Sequence, residues 1–505
     1  MFRSQWQLSC TVGLVALLSA GAANAQSPGQ IDKLQAQINE LQRQIAALKG
    51  QVKATEKRVA TAPPPVYTKA PYREPTAIVE MSPNNRPSIC TPDELNCIAL
   101  TGRLHLDVGG YSYHPNSALT APHDLDSGVN ARRARLGVVG KFMGDWQYTF
   151  IYDFGGSSDG GLGASAGNGG APTSGIENAY VSYTGLKPFA IEGGYMDVPW
   201  TLDEATSSND IMFMERSSSQ VIATSLGGGD FRSAIGIRGN TDRLWGGVYL
   251  TGPTSGASHS WPASEQDALL TRVSYQVLQD KDYSFHIGGN ALWLLHNAGA
   301  AGGLPATLTL SDRPELRIDP TAILSTGALA GVDGAQVYGA EAAAGVGSFF
   351  VQGEYFHYDI DRMFGAPSLS FNGGYVEASY TLTGEARKYS PGSGAYSSIT
   401  PAHPFSRDGS GWGAWEIAGR YSTIDLNDNS NSLAGLAAIG GLPFGVSGGQ
   451  QTVYTVGLNW YVNRNVRLMF DYLHGEIDNK FTAAAPGVDV GAKFDALAMR
   501  TQVAF

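Results

Sequence analysis

Residues 146–152 read Trp-Gln-Tyr-Thr-Phe-Ile-Tyr. Side chains of an extended strand alternate between its two faces. Trp146, Tyr148, Phe150 and Tyr152 therefore share one face, and Gln147 and Thr149 take the other. The pattern returns at 466–472, where Val466, Leu468, Phe470 and Tyr472 oppose Arg467 and Asp471. Near Trp415, Ile417 and Tyr421 oppose Glu416 and Arg420. Soluble sandwiches alternate too, so the chemistry of the faces decides. One face is rich in aromatics, as a lipid-facing band with interfacial girdles requires; the other carries charges and amides, as a wet interior requires. The chain closes the same way, with Leu497, Met499, Thr501, Val503 and Phe505 on one face and Arg500 and Gln502 on the other. A last strand ending on an aromatic residue resembles the signal read by barrel-assembly machinery, which makes Phe505 the contact to that partner.

The fold class that follows is all-β: a transmembrane antiparallel β-barrel. The composition agrees, with 64 Gly, 23 Tyr, 19 Phe and 9 Trp against only 16% charged residues; Tyr and Trp favour membrane interfaces. Residues 100–505 at about 25 per strand and connection give about 16 strands. A barrel of that size is too wide to fill with side chains and holds an aqueous channel. Residues 157–174, 297–335 and 427–450 are irregular and rich in small residues, so they are extracellular loops or loops folded inward. Length in such loops costs little.

Upstream, Arg3, an apolar run over 11–20 and Ala23-Asn24-Ala25 make a secretory signal peptide over 1–25, cut before Gln26. The apolar run is too short to span a bilayer as a helix. Residues 26–60 carry a heptad seam: Ile31, Ile38, Ile45, Val52 and Val59 on one position, Leu34, Leu41, Leu48 and Thr55 on the other. A repeat every 3.5 residues predicts a periplasmic coiled coil and hence an oligomer. β-Branched residues with Leu favour two strands in such coils, whereas barrel porins suggest a homotrimer. Residues 61–99 form a Pro-rich linker that includes Pro63, Pro64, Pro65, Pro71, Pro75, Pro83, Pro87 and Pro92, expected to be extended and without ladder. Cys90 and Cys97 remain after cleavage, in a compartment where disulfides persist, and form a small staple; a zinc site lacks further ligands nearby.

A net charge of −11 argues against a nucleic-acid partner. Partners are instead outer-membrane lipid and lipopolysaccharide, with peptidoglycan a candidate for the coiled coil. No enzyme constellation stands out, and neither cofactor nor metal is called for. Gly445-Val446-Ser447-Gly448-Gly449 fits a nucleophile motif but sits in a Gly-rich loop with no elbow around it.

Several segments resemble the phosphate-selective porin O and P family. They are Ala131-Arg132-Arg133-Ala134-Arg135-Leu136-Gly137, Gly144-Asp145-Trp146-Gln147-Tyr148 and Glu177-Asn178-Ala179-Tyr180-Val181. Phe213-Met214-Glu215-Arg216, Gly413-Ala414-Trp415-Glu416 and Gly457-Leu458-Asn459-Trp460-Tyr461 continue the series in order. The resemblance spans about 100–505. It implies a 16-stranded trimeric porin with lumen-facing arginines leading to a constriction formed by an inward loop.

Alternation puts Arg133, Arg135, Arg420, Arg467 and Arg500 on the lumen face. On the lipid face at the midplane an arginine costs ~2–4 kcal/mol. Two roles fit. The arginines form a cationic track lining the pore, or they pair with Glu377, Glu416 and Asp471 and brace the wall. Residues 196–216 are the constriction candidate, with Asp197, Asp203, Glu204, Asp210, Glu215 and Arg216 setting local charge; the alternative is an external loop. The arginine track favours anions and the acidic loop favours cations. The functional expectation is an outer-membrane porin for small hydrophilic solutes, its anion or phosphate preference open, with the N-terminal segment in the periplasm. The alternative is an envelope tether or adhesin anchored by a barrel.

Overall fold

The structure, a computed structural model, describes residues 28–61, 77–81, 86–122, 124–155, 175–252, 266–280, 282–297, 307–430, 438–439, 442–480 and 487–505. The signal segment, residues 62–76 of the linker and loop 157–174 lie outside them. Two units are described separately, divided between Glu74 and Pro75.

In the first unit, Pro28–Thr61 is one α-helix. Proline at its first position has no N–H to waste and a φ suited to the helix. The seam residues Leu41, Ile45, Leu48 and Val52 are 57, 52, 60 and 56% exposed in the single chain.

The second unit is built on sixteen strands: β1 Cys97–Pro115, β2 Gly128–Phe142, β3 Trp146–Asp153, β4 Gly175–Leu186, β5 Phe189–Asp197, β6 Phe231–Asn240, β7 Leu244–Thr251, β8 Asp267–Gln279, β9 Tyr283–His296, β10 Val332–Val346, β11 Phe349–Arg362, β12 Leu369–Thr381, β13 Ala414–Asp428, β14 Val446–Tyr461, β15 Val466–Asp478 and β16 Ala492–Ala504. Each pairs antiparallel with the next. β16 returns to β1, from Ala492↔Pro115 to Ala504↔Arg103, and closes the barrel. Closure leaves none of the sixteen strands as a sheet edge, the condition for β-structure in lipid. At the seam Phe505 donates its N–H to Gly102 O (3.0 Å), and Gly102 N–H returns to Phe505 O (3.0 Å). A Cβ on Gly102 would stand 2.5 Å from the Phe505 ring. Gly102→Val should therefore unseat the ring and cost ~1–3 kcal/mol by overpacking. The fraction of chain with heat-modifiable mobility on a gel should fall; an unchanged fraction would show that this seat does not matter.

Two boundaries differ from the sequence reading. The barrel begins at Cys97, inside the expected linker. That linker also contains a ladder: Ile78–Met81 pairs with Pro87–Cys90, which pairs with the start of β1. Proline opens the second of these strands, a position where its missing N–H does least harm. Cys90 and Cys97 lie opposite one another in this pairing and are bonded. The expected loops at 297–335 and 427–450 are shorter than read, because β10 starts at Val332, β13 runs to Asp428 and β14 starts at Val446.

One barrel end carries tight turns, such as 143–145, 187–188, 241–243, 347–348 and 462–465. The other carries the longer connections, among them 198–230 and 297–331. One segment breaks this division. Residues 382–413 join β12 to β13 at the tight-turn end and contain a hairpin, Lys388–Ser390 with Ala395–Ser397.

The interior is not uniformly wet, contrary to the reading from alternation alone. Leu270, Leu292, Leu294, Val337, Phe356, Ile360, Phe371, Ile424, Val453, Leu473 and Phe494 point inward and are nearly inaccessible. They pack on helix Ser218–Leu226 and on Leu308, Leu310, Leu316 and Leu324 of the 297–331 connection. Loops that fold inward bring apolar side chains, and wall positions facing them become a dry core.

Candidate permeation constriction

Loop 198–230 leaves β5 and turns into the barrel. Its Leu202–Ala205 turn is fixed at the N-terminus three times: Thr201 Oγ1 accepts Glu204 N–H (3.0 Å), and the Glu354 carboxylate from β11 accepts Leu202 N–H (2.7 Å) and Asp203 N–H (3.0 Å). A carboxylate there meets both unsatisfied donors and the positive end of the helix dipole. Ser217 caps Ser218–Leu226, accepting from Gln220 N–H, while Glu315 accepts Ser218 N–H (2.9 Å). Between these turns, Ile211, Met212, Phe213 and Met214 are buried against the wall.

The wall arginines grip this apolar segment through its backbone. Arg467 donates to Ile211 O (2.8 Å) and Met212 O (3.2 Å). Arg420 donates to Glu215 O (2.8 Å), and its guanidinium stands 4.8 Å over the Phe213 ring. Arg500 donates to Met214 O, and Asp471 accepts Met214 N–H (2.7 Å).

Glu215 is the charge hub. It takes two bonds from Arg132 (2.8 and 3.0 Å) and one from Arg500 (2.6 Å), with Arg133 at 3.8 Å and Arg317 at 4.0 Å. Arg500 also forks onto Asp107, at 2.7 Å twice. Arg132 reaches the interior because of a β-bulge. His105 pairs with Arg133 and Leu106 with Ala131, so Arg132 is the extra residue of β2. A bulge re-aims a side chain that strict alternation would send to lipid. Three arginines of one strand thus point inward: Arg132, Arg133 and Arg135.

All five arginines assigned to the lumen face lie inside, but none is a bare lining group. Arg420 pairs with Glu315 (2.7 Å) and approaches Glu377 (3.8 Å). Arg467 and Arg500 lie under the loop. Arg135 pairs with Asp153 (2.8 Å) and Glu177 (2.5 Å). Glu416, a candidate brace for these arginines, instead holds Arg387 from segment 382–413 (2.9 Å). Among the constriction candidates, Asp203, Glu204, Glu215 and Arg216 are buried within the barrel; the Asp210 carbonyl accepts from Arg387 (2.8 Å), and Asp197 ends β5. The external-loop alternative does not describe this segment. Ser447 of the Gly-rich motif bonds to Asn479 (3.0 Å) at the start of β14, with no elbow.

Sequence reasoning missed segment 382–413. Its hairpin enters the barrel from the tight-turn end. Arg272 donates to Ser393 O (3.0 Å) and Gly394 O (2.6 Å), Trp245 Nε1–H to Gly392 O (3.1 Å) and Gln276 to Tyr396 Oη (3.1 Å). Arg272 is balanced by Glu341, which also contacts His286 (2.8 Å).

What these elements leave open is a cavity of about 400 Å³ on the β1–β6 side. Arg103 and Arg133 border it from the wall, Asp197, Glu204 and Arg216 from the loop, and Gly392 and Ser393 from the hairpin. Arg103 is bonded to Ser207 (3.2 Å) and Ser208 (2.5 Å), with no carboxylate in ion-pair contact among the described residues.

A closed sixteen-strand barrel narrowed by inward loops fits a channel, and the comparisons give its family. The model of the phosphate-selective porin O and P family matches residues 98–505. The chain belongs to that family. As one of these porins it resides in the outer membrane. Porin O of Pseudomonas aeruginosa is 26% identical over 416 residues, 77% of this chain and 85% of that protein. An uncharacterized protein of Caulobacter vibrioides is 25% identical over 439 residues, 82% and 74% of the respective chains. Among solved structures, the anion-selective porin from Comamonas acidovorans aligns with a TM-score of 0.48 at 15% identity, over 81% of this porin and 99% of that one.

Proposed function

We propose that this porin passes small hydrophilic solutes by passive diffusion and favours anions, phosphate among them, at the β1–β6 side of its constriction. The observation that carries the preference is Arg103, which borders the cavity and is held by two serine hydroxyls rather than a carboxylate. Its charge is available to a passing anion, whereas Arg135, Arg420 and Arg500 are committed to acids. The name of the matched family points the same way. A planar bilayer with a potassium chloride gradient tests this. The reversal potential should report chloride preference, and Arg103→Gln should lower the chloride-to-potassium permeability ratio about three- to five-fold, as expected for one charge near ~0.6–1 kcal/mol. A ratio below one in the native channel would overturn the preference.

The working unit we propose is a homotrimer, with lipopolysaccharide and lipid around its barrels. The exposed Leu41, Ile45, Leu48 and Val52 support association, since pairing these seams removes their apolar surface from water. The segments divide as signal peptide, periplasmic coiled coil, linker and barrel, the coil facing peptidoglycan and Phe505 serving barrel assembly.

A further inference from the structure

The cavity has a second pole beside its arginines. Asp197, Glu204 and Asp230 also border it. Glu204 is only 3% exposed; one of its oxygens pairs with Arg232, and Oε2 has no hydrogen-bond donor among the described residues. Oδ1 of Asp197 lacks a donor likewise. The cation at this pole is Arg216, 3.8 Å from Asp230 and 3.9 Å from Asp203. Arg232 pairs with Glu204, which leaves Asp197 and Asp230 to share Arg216 on this side of the lining, while Arg135 and Arg238 of the same lining are held by Glu177 and Glu192. Buried acceptors without donors are costly and favour an occupant that supplies N–H groups.

The other pole is Arg103 with Arg133, whose Nε has no acceptor among the described residues. One stretch of loop joins the poles. Glu204 lies at the acidic end and Ser208, bonded to Arg103, at the basic end. Four residue steps bound their Cα separation at about 14 Å, and the side chains reach into the space between. A lone anion satisfies one pole and meets excess acid at the other. A lone cation does the reverse.

We propose that this cavity binds small solutes carrying an anionic group and an ammonium group together, the anion toward Arg103 and Arg133 and the ammonium toward Asp197, Glu204 and Asp230. The inference rests on the diffusion-channel reading above and adds that, among the anions it favours, those that also carry an ammonium group are held more tightly.

The test compares 2-aminoethyl phosphate with ethyl phosphate as blockers of chloride current through the purified full-length channel in a planar bilayer. The pair differs by the ammonium group. The amine-bearing compound should halve the current at a roughly five-fold lower concentration, the gain expected from one added charge contact. In Asp230→Asn, and separately in Glu204→Gln, that gap should close, while ethyl phosphate still blocks. Equal blocking concentrations in the native channel, or a gap retained in both variants, would overturn the proposal alone. Absence of any chloride conductance would overturn the diffusion reading and this proposal with it.

Discussion

Glu215→Gln should loosen the constriction and raise single-channel conductance. The substitution keeps the shape of the side chain and removes the charge on which Arg132 and Arg500 converge, with Arg133 and Arg317 close behind. Removing one partner of a buried ion pair leaves uncompensated charge and typically costs 3–5 kcal/mol. Here the cost falls on the loop-in state, because the wall arginines regain water if loop 198–230 lifts away. A bias of about 3–5 kcal/mol changes the ratio of lifted to docked loop by roughly 10²–10⁴. Recordings should show larger, noisier openings, and the temperature at which the folded form loses its gel mobility should drop. Glu476→Gln is the control. It breaks the exposed pair with Lys493 (2.5 Å), which water screens, so both readouts should stay at the native values. If Glu215→Gln conducts as the native channel does, the apolar grip on Met212, Phe213 and Met214 holds the loop without the hub.

What could be read from the sequence follows from what alternation measures. It reports which face a side chain takes, and on β3, β13 and β15 the two faces differ enough to be read directly. It does not report what lies opposite. Leu292, Trp293, Leu294 and Leu295 look featureless because Leu292 and Leu294 meet the inward loops while Leu295 faces outward. Alternation also assumes an unbroken ladder, so the bulge that turns Arg132 inward was invisible. The roles of the arginines were open for the same reason: an inward guanidinium lines water or meets an acid according to where a distant loop goes. A local signal did exist in that loop. Ile211-Met212-Phe213-Met214 is an apolar run set among acids and serines, and such a run has no reason to lie in an external loop. Segment 382–413 offered less. Its Gly and Pro content reads as any connection, and only assigning every strand would have put so long a stretch at the tight-turn end.

Excising 386–399 and closing the gap with a short Gly-Ser turn should widen the channel from that end. The hairpin is not part of the wall. β12 and β13 pair directly, from Asn372↔Asp425 to Thr381↔Glu416, so the barrel keeps every ladder bond without it. The hairpin is held by wall side chains, Arg272 on Ser393 O and Gly394 O, Trp245 on Gly392 O and Gln276 on Tyr396 Oη. Gly394, at φ +61°, is where it presses closest, since a Cβ there would stand 3.0 Å from Trp245 and 2.8 Å from Ser274 Oγ. Removing the hairpin frees Arg272, which keeps its partner Glu341 and so remains charge-balanced. Arg387 leaves with it and strands Glu416, buried with Asn459 and Tyr461 as its remaining partners. The trimmed channel should therefore combine higher conductance with a shift of reversal potential toward cations, an acid having lost its guanidinium beside the passage. The shorter excision 388–397, which keeps Arg387, separates the two effects: conductance should stay high while the reversal potential returns toward the native value. Unchanged conductance in both variants would mean that the hairpin occupies space the solutes do not use.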